Sequence, residues 1–168
     1  QPWLVVADQS NVPTMSDAHK NEFERIKREH DTVVSLLSFH AKKSQKAKKG
    51  QFSGLPFFAP DIIQAAVATA NDAYALLLMA RSEGFMRTYI DSQGILLRVE
   101  PTLNVLIDKC RKEFNNTDPM IPIRPNIAQD VHDLRVQRNA YAHGYGSSVF
   151  PPVARMVIIL GKFFDQLP

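Results

Sequence analysis

Apolar residues recur three and four apart in five stretches of the chain, and no apolar–polar alternation lasts long enough for a strand. The first stretch, 16–40, has Ser16 or Asp17 as N-cap and a stripe through Phe23, Ile26, Val33, Val34 and Leu37. The second, about 61–91, is the longest and most apolar. Ile63, Val67, Ala70, Tyr74, Leu77 and Leu78 lie on one side, and Leu76-Leu77-Leu78-Met79 predicts burial nearly all round. A third helix is expected from Pro101, a favoured first-turn residue, to Phe114. Residues 115–125 hold three prolines and read as a loop. Asn126 is the expected cap of a fourth helix ending at Gly144, a good left-handed terminator. A fifth spans about 150–166 through Val153, Met156, Val157, Leu160 and Phe164. The pattern predicts an all-α bundle of about five helices without internal repeats.

At 168 residues the chain suits one domain with a substantial core: an N-terminal extension over 1–15, then a single helical domain over 16–168. Apolar residues make up 45% and charged residues 22%, a globular balance. The longest purely apolar run, Ala73 to Ala80, is short for a bilayer span, so no membrane association is expected. Gln1-Pro2-Trp3-Leu4-Val5-Val6 lacks the charged leader and long apolar core of a signal peptide. One cysteine, Cys110, allows neither an internal disulfide nor a cysteine zinc cage, and a cytoplasmic location is expected. The first residue is not Met, which leaves room for a longer parent protein. The net charge of +3 leans toward a polyanionic partner without establishing one.

The fourth helix carries the most unusual pattern. Its stripe runs Ile127, Val131, Leu134, Arg138, Tyr141, so an arginine occupies a position the period reserves for an apolar residue. Asn139 and His143 lie one turn apart on a shared face. A guanidinium aimed at the core is costly unless something anionic or polar meets it. Structural readings exist for each residue alone. Arg138 can bridge to Glu83 or lay its stem over apolar neighbours, and His143 is electrostatically favourable near a helix C-terminus. Tyr141 reads as core or interface, and Glu83 with Arg87 as a surface pair.

The Arg138-Asn139-x-x-x-His143 pattern at a helix end, followed by Gly144, resembles the signature of HEPN domains. Glu83-Gly84-Phe85, late in the long second helix, is similar to the Trp-Glu-Gly-Phe element of several bacterial HEPN branches, with Ser82 standing where Trp is usual. The resemblance covers about residues 60–166. It implies a bundle that dimerises through the motif-bearing helix so that two motifs face one cleft. Many such domains are metal-independent endoribonucleases acting as toxins, in phage defence or in RNA processing. They leave 2′,3′-cyclic phosphate and 5′-hydroxyl ends. Others bind nucleotides or partner proteins without catalysis, which is the alternative reading. Antitoxins and nucleotidyltransferases are the partners implied.

The residue types suit that chemistry. Cleaving RNA without a metal requires deprotonating the 2′-hydroxyl, stabilising a phosphorane-like charge and protonating the leaving oxygen. Imidazole titrates near neutrality and serves the proton steps. A guanidinium fork holds two phosphate oxygens. Arg138 and His143 are therefore the expected catalytic pair, Asn139 their support, and, on the resemblance, Glu83 an orienter of Arg138. One histidine serves poorly as both base and acid in a single step, which a two-fold dimer resolves by supplying two.

Weaker features complete the reading. Lys42, Lys43, Lys46, Lys48 and Lys49 are a weak RNA-binding expectation beside the simpler reading of a solvated loop. Gly144-Tyr145-Gly146-Ser147-Ser148 lacks the lysine and spacing of a P-loop and reads as cap and turn. Gly84 inside a helix implies close approach of a neighbouring helix or of a dimer partner. His132 and His143 on one helix would lie roughly 16 Å apart, so no metal cofactor is expected.

Overall fold

The computed structural model describes residues 15–47, 59–95, 101–117, 125–144 and 150–167. They form five helices: α1 Met15–Ala47, α2 Pro60–Ser92, α3 Leu103–Thr117, α4 Pro125–Ala142 and α5 Val153–Phe164. The expected all-helical class holds, with no strand among the described residues. Residues 1–14 of the N-terminal extension, the Pro/Gly/Phe-rich connection up to 58 and Tyr145–Ser148 lie outside them.

α2 is the hub. It packs against each of the other four helices, which run around it in the order α1, α5, α4, α3. Pro60 opens α2 at its first turn, where the missing N–H costs nothing. Its buried residues include Ala75, Leu78, Met79, Met86, Tyr89 and Ile90. They cluster in the C-terminal two-thirds, whereas Ile62 near the start is 56% exposed. The expected burial nearly all round does not hold: Ala73, Ala80, Arg81, Gly84 and Thr88 keep one face exposed along the same part of the helix, and Leu76 and Leu77 are only partly buried. The eight-residue apolar run also understates α2: its most apolar stretch reaches a mean hydropathy of 1.4, long and apolar enough by length and composition to cross a bilayer.

Of the remaining helices α5 buries its whole expected stripe, whereas Val33, Val34 and Leu37 of α1 are only partly buried and Tyr141 of α4 is exposed. α5 buries Val153, Met156, Val157, Leu160, Phe163 and Phe164, one face at helical spacing. Its first N–H is met from another helix, since Asn71 Oδ1 of α2 accepts from Val153 N at 3.3 Å. α3 buries Leu103, Leu106, Ile107 and Cys110, and α4 buries Ala128, Val131 and Leu134. α1 buries His19, Phe23 and Ile26, while Leu36 and Phe39 further along are more than half exposed. His19, Phe23, Phe85 and Phe164 form one aromatic cluster joining α1, α2 and α5. Across the surface, Lys20 pairs with Asp165 at 2.9 Å and Arg81 with Glu22 at 3.1 Å.

Several boundaries move. α1 continues through Ala47, so Lys42, Lys43 and Lys46 extend a helix where a loop was expected, and Lys48 and Lys49 lie outside the described residues. Lysine is a good helix former, so a run of basic residues does not by itself end a helix. α3 starts at Leu103, with Thr102 O accepting from Leu106 N at 3.1 Å, and reaches Thr117 inside the expected loop. Pro125 opens α4 and leaves Asn126 in its first turn, inside the helix rather than at the expected cap. Gly144 does terminate the segment: its φ is 66°, and its N–H donates to Tyr141 O at 3.1 Å.

Candidate functional site

A small polar cavity of about 210 Å³ opens where α2, α3 and α4 meet. α4 contributes Arg135, Arg138 and Asn139, and α2 contributes Glu83. Thr102, Leu103 and Asn104 at the start of α3 complete its wall. Arg135 and Asn139 are one turn apart, with Arg138 between them, so one face of α4 supplies all three.

The structure thus brings Arg138, Asn139 and Glu83 together. Arg138 is half-buried, and its Nη1 reaches Asn139 Oδ1 only at 3.5 Å, the limit of a hydrogen bond. Glu83 does not hold Arg138. Its carboxylate accepts from Arg87 Nη2 at 2.8 Å, one turn along α2, and the same nitrogen donates to Pro101 O at 3.3 Å. Glu83 therefore acts on Arg87 and, through it, on the entry to α3. The reason is proximity: an i,i+4 partner on the same helix is reached without crossing the bundle.

His143 stands apart. It is exposed beyond the end of α4 and does not line the cavity, and its backbone N–H donates to Asn139 O at 3.0 Å. Asn139 thus connects the two parts, its side chain on the cavity and its carbonyl anchoring the backbone of His143. Tyr141 is 43% exposed, with its ring 5.6 Å from that of Phe150, and is not a core residue.

The Glu83-Gly84-Phe85 element divides three ways. Glu83 faces the cavity, Phe85 joins the aromatic cluster, and Gly84 is exposed. A Cβ placed on Gly84 would meet nothing within 4 Å, so no neighbouring helix of the described bundle requires glycine there. Ser82 is fully buried and satisfies its hydroxyl by donating to Leu78 O at 2.8 Å, within its own helix.

The lysines lie elsewhere. Lys42 lines a separate apolar groove of about 690 Å³ between the C-terminal half of α1 and the N-terminal half of α2. Lys43 places its Nζ 5.4 Å from the centre of the Phe39 ring. Among the described residues no group of three or more His, Cys, Asp or Glu is placed to hold a metal ion. His132 instead pairs with Asp108 at 3.5 Å.

Four residues lining the cavity, Thr102, Leu103, Asn104 and Arg135, are absent from the sequence-based expectations. Arg135 has a signal, as a second basic residue three before Arg138 on the same face. Asn104 has no local signal, because its place on the wall depends on how α3 docks. Compared with known protein families, characterised proteins and solved structures, the chain matches none. The HEPN resemblance therefore rests on the motif residues themselves.

Proposed function

We propose that this domain is a metal-independent endoribonuclease of the HEPN type, acting on single-stranded RNA. The observation that carries the reading is Arg138. It lines a polar cavity beside Asn139, forms no ion pair with a carboxylate of the described residues, and lies five residues before an exposed histidine. In the reaction the 2′-oxygen attacks phosphorus, the P–O5′ bond breaks, and a 2′,3′-cyclic phosphate forms. One His143 takes the 2′-hydroxyl proton, and His143 of a second copy protonates the departing 5′-oxygen. Arg138 meets the charge that builds on the phosphoryl oxygens, and Asn139 orients the phosphate.

The test is cleavage of a mixed-sequence single-stranded RNA in EDTA. His143→Ala and Arg138→Ala should each reduce cleavage by on the order of 10²–10⁴-fold while the dimer persists. Wild-type rates in either variant would defeat the assignment. A role as toxin, phage-defence factor or RNA processor, a cytoplasmic location, and pairing with an antitoxin or nucleotidyltransferase belong to the same reading.

One observation favours a second reading. His143 lies outside the cavity of the single chain, so the cavity can grip a nucleotide phosphate without turnover. Thermal stabilisation by nucleotides, with no RNA cleaved by the wild type, would select this non-catalytic binding module.

A further inference from the structure

The geometry points to Arg135, which lies outside the Arg138–His143 motif, as the second guanidinium of a phosphate-binding pocket shared with Arg138. The inference rests on the reading of this cavity as the functional site, and it concerns binding rather than cleavage.

Three observations carry it. Arg135 Nε is buried and meets no hydrogen-bond acceptor among the described residues. Leaving such a donor unmatched costs about 1–3 kcal/mol, more for a charged group, so Arg135 is held at the cavity wall without an acceptor for this nitrogen from the surrounding helices. Charge comes next. Neither Arg135 nor Arg138 forms an ion pair with a carboxylate of the described residues, and Glu83, the acidic residue of the wall, is engaged by Arg87. Two such guanidiniums on adjacent positions of one helix face match a group with several anionic oxygens.

Size and lining give the third. At about 210 Å³ the cavity is smaller than the ~300–1,000 Å³ typical of sites that enclose a drug-sized ligand. None of its lining residues is aromatic, so it offers no platform on which a base would stack. It takes the phosphate of a larger molecule and leaves the rest outside. Asn139 and Asn104 add amide groups to the wall, and Asn104 Nδ2 is steadied by Asp108 Oδ2 at 3.3 Å.

Calorimetry with pyrophosphate and with a short single-stranded oligouridylate tests the assignment, using the intact chain and the variants Arg135→Gln and Arg135→Lys. Both probes should bind the wild type. Arg135→Gln should weaken each by tenfold or more, and Arg135→Lys should recover part of the loss, because it keeps the charge without the fork. For the oligonucleotide, the slope of log K against log salt should fall by about 0.7 in Arg135→Gln, the change expected when one phosphate of a single strand is no longer neutralised. A merely structural arginine would not move that slope. Circular dichroism identifies a misfolded variant, and Arg135→Lys then carries the comparison.

Unchanged affinity in folded Arg135→Gln would overturn the proposal, as would failure of both probes to bind at low salt. Pyrophosphate bound without RNA would uphold the pocket and defeat the nuclease reading. RNA bound without pyrophosphate, with the reduced slope, would identify a polymer phosphate as the occupant.

Discussion

Gly84 illustrates how a single residue misleads when spacing alone is considered. Glycine inside a helix points to a close neighbour, yet its position here faces open space. Gly84→Ala should therefore stabilise the isolated domain by about 1 kcal/mol, since alanine removes backbone freedom from the unfolded chain without meeting a neighbour. Urea denaturation at low protein concentration checks it, and a loss of stability would show an unrecognised contact. Arg138 is legible for a different reason: it interrupts an apolar stripe, which sequence displays directly. Its surroundings are not legible. The expectation that Glu83 holds it fails because Arg87 competes from the same helix at 2.8 Å. His143 lies at the helix end, as its spacing implies, but nothing in a linear pattern shows that the cavity stops short of it.

At the scale of the element, α3 shows how a short amphipathic helix commits to one face. Leu103, Leu106, Ile107 and Cys110 are all buried on a period of three and four. Burial pushes the Cys110 thiol up to about 12 from its ordinary 9.0, because the thiolate is disfavoured away from water. The sign of the linkage follows. Above pH 9 the unfolded chain releases this proton while the folded chain retains it, so stability falls as pH rises from 9 toward 12. Within that window the fall should approach about 1.4 kcal/mol per pH unit from this group, and Cys110→Ala should flatten it. Denaturant midpoints at about pH 8, 9 and 10 for the two proteins measure the difference. α1 makes a complementary point. Arg25 pairs with both Glu22 and Glu29, and Lys27 pairs with Asp31, so local pairs support a length that burial alone does not require. The charge-rich sequence after residue 40 suggests a loop, although helix ends are set by breakers more than by polarity.

For the whole molecule, the arrangement around α2 determines where damage spreads. Leu78 is completely buried in the helix that touches all the others, whereas Leu36 on the outer part of α1 is 57% exposed. Leu78→Ala should lower global stability by about 2–5 kcal/mol. Leu36→Ala should stay within about 0.5 kcal/mol. Thermal unfolding of the two variants checks the contrast, and similar losses would contradict the hub arrangement.

The sequence by itself determined the helical class, the five helices of the described residues and the buried stripe of α5, together with Phe23 and Ile26 of α1 and Val131 and Leu134 of α4. Those depend on local period, capping and breakers, all written within a turn or two of the residue concerned. It also exposed Arg138 as out of pattern. Only the tertiary structure decided that Arg135, Arg138 and Asn139 share a cavity with Glu83 and the start of α3. It likewise decided that Asn71 completes the N-terminus of α5 and that Gly84 faces solvent. These pairings join residues distant along the chain, and they are fixed by how whole helix faces pack rather than by any local rule.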